Sequence, residues 1–354
     1  MGAAPSPGRL RLAVGLLSAG VLAYETLLLK LLPLKLWAPA AGAVISLALL
    51  GFGAAGAALT TVSPEALPPR RAVPGLAAAF GIGAPAAFAL AEAVPLNPLE
   101  LLWSPAPWVG LGAVYLALGA PFFLAGLALA LAYRHQAARP GPLYAADLAG
   151  AAAGAGLAVA VVHLGPPSWG LRLVCLVGAL SAASLLRPRA AAAVGLAGLL
   201  LGAAWPGRLL EPRLSPYKPL ARMLAAPDTR VEADAWTPWG RLTVARSAGV
   251  PFRHAPGLSL ACPHDPPPAR AAFLDGDLLD ALPPGDAPWD YLECLPWSLP
   301  YRLWKPQTVL VLEAGLGFRA EGALRLGARR VVAVEPIRVP ARPAARGRPG
   351  IVWA

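Results

Sequence analysis

Charge is scarce in this chain. Asp, Glu, Lys and Arg make up 14% of its 354 residues, where a soluble domain carries about 25%. That shortage argues against an ordinary water-soluble globule. A hydrophobic content of 57% excludes an intrinsically disordered chain, because disorder needs few apolar residues. Cysteine is nearly absent as well. Cys175, Cys262 and Cys294 offer neither a paired framework nor metal-ligand spacing, and they read as inert thiols. Runs of five or more Lys/Arg are missing, and aromatic residues do not alternate with basic ones. The formal net charge of +11 therefore does not point to a nucleic-acid partner, although a basic balance is a common footprint of one.

The charge that is there falls unevenly. Residues 12–206 hold 9 Lys/Arg and 5 Asp/Glu, whereas residues 207–354 hold 19 and 14. A membrane domain followed by a water-facing domain has this pattern. Apolar stretches of about 17–25 residues can cross a hydrocarbon core of about 30 Å. Candidates lie near 12–32, 40–62, 73–94, 108–133, 143–163, 170–186 and 190–206. The first is too long for a cleavable signal peptide, lacks a small-residue cleavage site and precedes further spans.

Gly51, Gly53 and Gly56 crowd the second span, and Gly150, Gly154 and Gly156 the fifth. Helices in lipid associate through close packing, so such positions predict helix contacts, with a substrate path as the sharper alternative. Glu25 lies within the first span and Asp147 opens the fifth. An ionisable group at that depth is costly and marks a functional candidate. Asp147 also suits helix capping or an interhelical bond. Arg9/Arg11, Arg70/Arg71, Arg134/Arg139 and Arg187/Arg189 fall on one side of seven spans, and Lys30, Lys35 and Arg172 on the other. The positive-inside rule then makes the amino terminus cytoplasmic and puts the C-terminal half outside.

Pro206-Gly207 ends the last apolar run. Short alternating segments follow at 230–233, 241–245, 257–261 and 271–276, which predict a small antiparallel β-domain. Helical spacing then runs from Tyr291 to Trp304. Thr308-Val309-Leu310-Val311-Leu312 predicts a parallel strand buried on both faces. It leads into Glu313-Ala314-Gly315-Leu316-Gly317-Phe318, a helix to Leu326 with a stop at Gly327, and a second strand, Val331–Val334, ending in Glu335. A strand, a glycine turn and a helix start bring backbone N–H groups close to a ligand. An acid 20 residues past Gly315 can accept hydrogen bonds from ribose hydroxyls. Nucleoside binding is the sharp reading; a unit of this shape that binds nothing is the bland one. A dinucleotide site would need a longer glycine pattern, ending here in Ala320. The acid of Glu313-x-Gly315-x-Gly317 looks more like the first motif of S-adenosylmethionine-dependent enzymes.

These residues, in this order, resemble the spermidine synthase family (polyamine aminopropyltransferases), in particular its bacterial membrane-fused members. The similarity is carried by Ser215-Pro216-Tyr217-Lys218, Phe273-Leu274-Asp275-Gly276, Tyr291-Leu292-Glu293, Leu299-Pro300-Tyr301 and Val309 through Glu335. Pro121–Gly126 and Leu143–Asp147 carry it in the membrane half. The resemblance implies a multi-pass helical membrane bundle (1–206), a linker and small β-domain (207–280), and a partial Rossmann-like, class I methyltransferase-like unit (281–354). It implies aminopropyl transfer from decarboxylated S-adenosylmethionine to a diamine. Gly315 and Gly317 then match the nucleoside loop, Glu335 the ribose acid and Tyr291 a tyrosine near the diamine. No prosthetic group is implied.

Glu313, Leu316 and Phe318 stand where the family's loop has glycine or aspartate, and Leu316 or Phe318 is expected to crowd the ligand. The family's catalytic aspartate lies further downstream, so no catalytic residue is assigned here. Two parallel strands and one helix cannot cover both faces of a sheet, and the sequence is expected to be truncated and inactive as it stands. The alternatives are a membrane transport or lipid-handling protein with a remnant domain, and methyl transfer from S-adenosylmethionine to a lipophilic acceptor. The expected partners are the bilayer and a small amine; homo-oligomerisation is open. The expected location is the bacterial inner membrane. An adenosyl-ligand domain belongs in the cytoplasm, which conflicts with the count of seven spans.

Overall fold

The computed structural model describes residues 6–62, 67–337 and 349–354. The chain divides into two compact units, Met1–Arg213 and Leu214–Ala354.

The first unit is helical. Its elements are α1 (Pro7–Leu31), α2 (Ala38–Gly42), α3 (Val44–Thr61), α4 (Pro69–Ala93), α5 (Ala106–His135), α6 (Gly141–Leu164), α7 (Ser168–Ser184), α8 (Pro188–Ala204) and α9 (Gly207–Leu210). Among the described residues, five segments are long and apolar enough to cross a membrane: Pro7–Leu34, Ala38–Thr61, Pro69–Ala93, Ala106–His135 and Gly141–Leu164. The last two expected spans are apolar helices of only 17 residues each. At 1.5 Å per residue each reaches about 25 Å, short of the usual core.

Aromatic packing fixes the centre of this unit. Tyr24 of α1 is fully buried between Phe80 of α4 and Phe122 of α5, with ring centroids 6.3 and 5.1 Å away. Small residues close the α1–α6 seam. A Cβ on Gly150 or Gly154 would run into the backbone carbonyl of Gly15 or Ala19. Gly51 likewise admits Phe122. The same reading fails for Gly53, Gly56 and Gly156, where an added Cβ would meet open space. Glycine clustering locates a seam; it does not say which glycines lie in it.

The second unit starts with α10 (Pro219–Ala225) and a four-stranded antiparallel sheet in the order β1 (Thr229–Thr237), β2 (Gly240–Ser247), β3 (Arg270–Leu274), β4 (Asp277–Leu282). The segment 257–261, expected as a strand, is turn and loop. The segment 271–276 is not one strand but the end of β3 and a tight turn, with β4 beyond it. Asp275 and Gly276 both take positive φ, +51° and +82°, the two-residue hairpin geometry that Asp-Gly favours. The expected helix from Tyr291 to Trp304 is two short 3-10 turns, Asp290–Cys294 and Pro296–Ser298, and a six-residue α11 (Leu299–Trp304). Pro296 and Pro300 fragment it, since proline lacks the N–H that a continuous helix needs.

Next come β5 (Thr308–Leu312), α12 (Phe318–Arg325), β6 (Arg330–Val334) and β7 (Ile351–Trp353), with both strand pairs parallel in the order β5-β6-β7. The last strand was not expected; the Pro/Arg/Gly-rich segment 338–348 that precedes it lies outside the described residues. Nor is β5 buried on both faces. Val311 packs beneath α12 with Ala320, Ala323 and Val331, whereas Leu310 and Leu312 are 62% and 64% exposed. The β-domain and the parallel unit, expected as separate domains at 207–280 and 281–354, share one core. Leu242, Val244 and Ala272 of the antiparallel sheet pack in the same cluster as Tyr291, Leu316 and Phe318.

Candidate functional site

The turn between β5 and α12 is built from backbone that side chains rarely tolerate. Gly315 and Gly317 stand at φ +55° and +106°, which glycine adopts without a steric cost. Glu313 is left-handed too, at φ +53°, an unfavourable setting for a residue with a Cβ. The path turns the Leu316, Gly317 and Phe318 amides toward one point. N–H groups at a helix start, with the positive end of the helix dipole behind them, suit an anion.

An anion of the chain's own occupies that point. Asp280 Oδ2, from β4, accepts hydrogen bonds from the amides of Leu316 (2.8 Å), Gly317 (3.2 Å) and Phe318 (3.4 Å). Its Oδ1 accepts from the Ala281 amide at 2.8 Å. Loss of water around Asp280 pushes its pKa up to about 6, against the pull of these four amides. A register shift between β3 and β4 next to Ala272, the partner of Asp280, re-aims this stretch of strand. A Cβ on Gly315 would strike the Asp280 side chain, so glycine is required there for contact as well as for conformation.

Glu335 is committed in the same way. Its Oε2 accepts from the Gly315 amide at 2.7 Å and its Oε1 from the Ile337 amide at 2.8 Å. Glu335 is 8% exposed. It ties the end of β6 to the glycine turn, and both oxygens are already engaged by protein.

Tyr291 joins these residues through the core. It is buried with Leu316, Phe318 and Ile337, and Trp289 stacks on it at 6.3 Å and on Phe318 at 5.7 Å. The Tyr291 hydroxyl and the Trp289 Nε1 are buried without a hydrogen-bond partner among the described residues. Burial pushes the Tyr291 pKa up to about 12, which keeps it a neutral donor. Gly315, Gly317, Glu335 and Tyr291 therefore meet in one region. Asp280 was missed: only an acid inside the apolar run Leu278–Leu282 hints at it.

The cysteines correct a further expectation. Cys262 and Cys294 form a disulfide across a separation of 32 residues; Cys175 alone is a free, buried thiol. Spacing in sequence could not pair two residues that the fold brings together. The bridge holds the loop before β3 against the turn that carries Tyr291, and the Ser259 amide donates to the Cys294 carbonyl at 3.2 Å beside it.

A cavity of about 390 Å³ lies elsewhere in this unit. Glu232, Arg246, Arg270 and Pro284 are among its lining residues, and none of the glycine-turn residues is. Glu232 bridges Arg246 (3.2 Å) and Arg270 (3.7 Å), so its charges largely answer one another. Among the described residues no three His, Cys, Asp or Glu side chains gather as a metal site.

Glu25 and Asp147, the two acids expected within apolar spans, differ in kind. Asp147 of α6 accepts from Ser18 of α1 at 2.5 Å and from Tyr133 of α5 at 2.7 Å, a clasp between three helices. Glu25 is half-buried and accepts no hydrogen bond among the described residues. A third acid, Glu92 at the end of α4, is 4% exposed. It accepts from the Arg213 amide at 3.0 Å, and Lys35 caps the helix end through the carbonyls of Ala91 (2.6 Å) and Glu92 (2.9 Å). No family model, curated protein or solved structure matches this chain.

Proposed function

We propose that the chain is a multi-pass protein of a bacterial inner membrane, similar to the membrane-fused spermidine synthases, whose Rossmann-like C-terminal unit takes an adenosyl ligand at the turn Gly315–Phe318. The observation that carries this reading is the convergence of three backbone amides on Asp280. It supports a loop already shaped for an acceptor group. In aminopropyl transfer an amine nitrogen attacks the carbon next to the sulfonium, the carbon–sulfur bond breaks, methylthioadenosine leaves and the amine loses a proton. The chain's contribution is positional. Glu335 holds the turn, Gly315 and Gly317 let the ligand approach the backbone, and Tyr291 offers a neutral hydroxyl beside it. No residue is assigned as the base.

One observation favours methyl transfer from S-adenosylmethionine as a second reading. The loop amides hold a carboxylate. S-adenosylmethionine carries one, and its decarboxylated form does not. Calorimetry of the full chain with S-adenosylmethionine, decarboxylated S-adenosylmethionine and methylthioadenosine separates the cases. Aminopropyl transfer requires binding of the decarboxylated form and of methylthioadenosine. Methyl transfer requires a preference for the carboxylate-bearing donor, which strengthens in Asp280→Ala because the amides are freed. Absence of heat with all three, in wild type and in Asp280→Ala, removes both readings.

A further inference from the structure

We infer that the C-terminal unit stands in the oxidising, extracytoplasmic compartment, where Cys262–Cys294 forms as a permanent bridge. Three features of separate origin agree on this.

The first is the distribution of arginine. Arg9 and Arg11 lie in the first turns of α1, and Arg70 and Arg71 open α4. Arg134 and Arg139 flank the α5–α6 connection, and Arg187 and Arg189 the α7–α8 connection. In a chain that crosses repeatedly, these positions all fall at one end. The other end has only Lys30, Lys35 and Arg172 up to the close of α8. Lys/Arg excess marks the cytoplasmic side.

The second is tryptophan. Trp37 follows α1, Trp103 and Trp108 lie at the α4–α5 connection, Trp169 opens α7 and Trp205 follows α8. All five tryptophans of residues 1–213 thus fall at the end opposite the arginines. Tryptophan settles at the headgroup level, so these positions mark where segments leave the bilayer. Arg9 Nη2 donates to the Leu186 carbonyl at 3.0 Å and Arg172 Nη2 to the Trp205 carbonyl at 2.9 Å, so α7 runs from the tryptophan end to the arginine end and α8 returns, and the crossings number seven. Leu214 then begins on the tryptophan side.

The third is the disulfide itself. Cytoplasmic thiols are kept reduced, and structural bridges form in oxidising compartments. A cytoplasmic location would leave Cys262 and Cys294 adjacent, reduced and unbridged. The compartment rests on none of the ligand chemistry proposed above. For that chemistry it has one consequence: the adenosyl ligand must be supplied outside the cytoplasm.

The test uses the full chain in intact cells, with Cys175→Ser removing the third thiol. A membrane-impermeant maleimide is expected to label no cysteine at first, and two per chain after a brief exposure to reductant, without permeabilisation. Labelling only after the membrane is opened would overturn the location. Two free thiols without reductant would overturn the bridge. A fusion at Ala354 supplies a reading that does not depend on the cysteines. Alkaline phosphatase, active only when exported, is expected to be active there, and green fluorescent protein dark; the reverse pattern would overturn the proposal.

Discussion

Asp280 Oδ2 sits 2.8 Å from the Leu316 amide nitrogen, in the position that a bound anion would take at the start of α12. The loop satisfies its own polar groups, and whatever binds there must compete with a tethered carboxylate. An internal partner of this kind removes the penalty of leaving buried amides unpaired. It also raises the threshold for any external ligand.

Ionising Asp280 costs the folded state. Its carboxyl is raised from 3.8 to about 6, so the fold holds the proton more tightly than the unfolded chain. The contribution of this group is fully present below about pH 4 and is lost as pH rises to about 6. Asp280→Asn stays neutral throughout. Unfolding free energies of wild type relative to this variant are expected to fall by on the order of 2 kcal/mol between pH 4 and pH 6.5, discounting for partial exposure. Thermal melts of the two proteins across that range check it, and parallel curves would contradict the assignment.

Reducing or deleting the Cys262–Cys294 bridge frees a loop with a separation of 32 residues. Chain entropy gives such a closure about 3–4 kcal/mol. Cys262→Ser/Cys294→Ser is expected to lower the stability of the C-terminal unit by roughly that amount in denaturant titrations. The unbridged double variant is also expected to expose the Tyr291 turn to proteolysis earlier than wild type.

The α1–α6 seam depends on the absence of side chains. Gly154→Leu drives a branched side chain into the Ala19 backbone and is expected to cost more than about 2 kcal/mol in detergent unfolding, the upper part of the overpacking range. Gly156→Leu, at an open position one half-turn away, is expected to be near neutral. Equal effects would mean the seam is elsewhere.

Asp147 is a clasp. Asp147→Asn, Tyr133→Phe and Ser18→Ala are each expected to cost about 0.5–1.5 kcal/mol, the usual worth of a hydrogen bond between membrane helices. A double-mutant cycle between Asp147 and Tyr133 should return a coupling of similar size, because the two touch at 2.7 Å. A coupling of zero would put the stabilising interaction of Asp147 elsewhere.

Much of this protein could be read along the chain. Apolar runs located the long helices to within a few residues, because a hydrocarbon core about 30 Å thick fixes how many apolar residues a span needs. Val309–Leu312 and Val331–Val334 announced two neighbouring strands, and Gly315 and Gly317 the turn between. Those features are local: hydropathy, length and the conformational freedom of glycine suffice. The rest depends on residues far apart in sequence. Nothing local pairs Cys262 with Cys294, sends Asp280 to the amides of Leu316–Phe318, or covers one face of β5 while leaving Leu310 and Leu312 open. Nor does composition say that Gly154 lies in a seam and Gly156 outside it. Those choices were made by tertiary packing, since an amide or a carboxylate finds its partner only once strands and helices have been brought side by side.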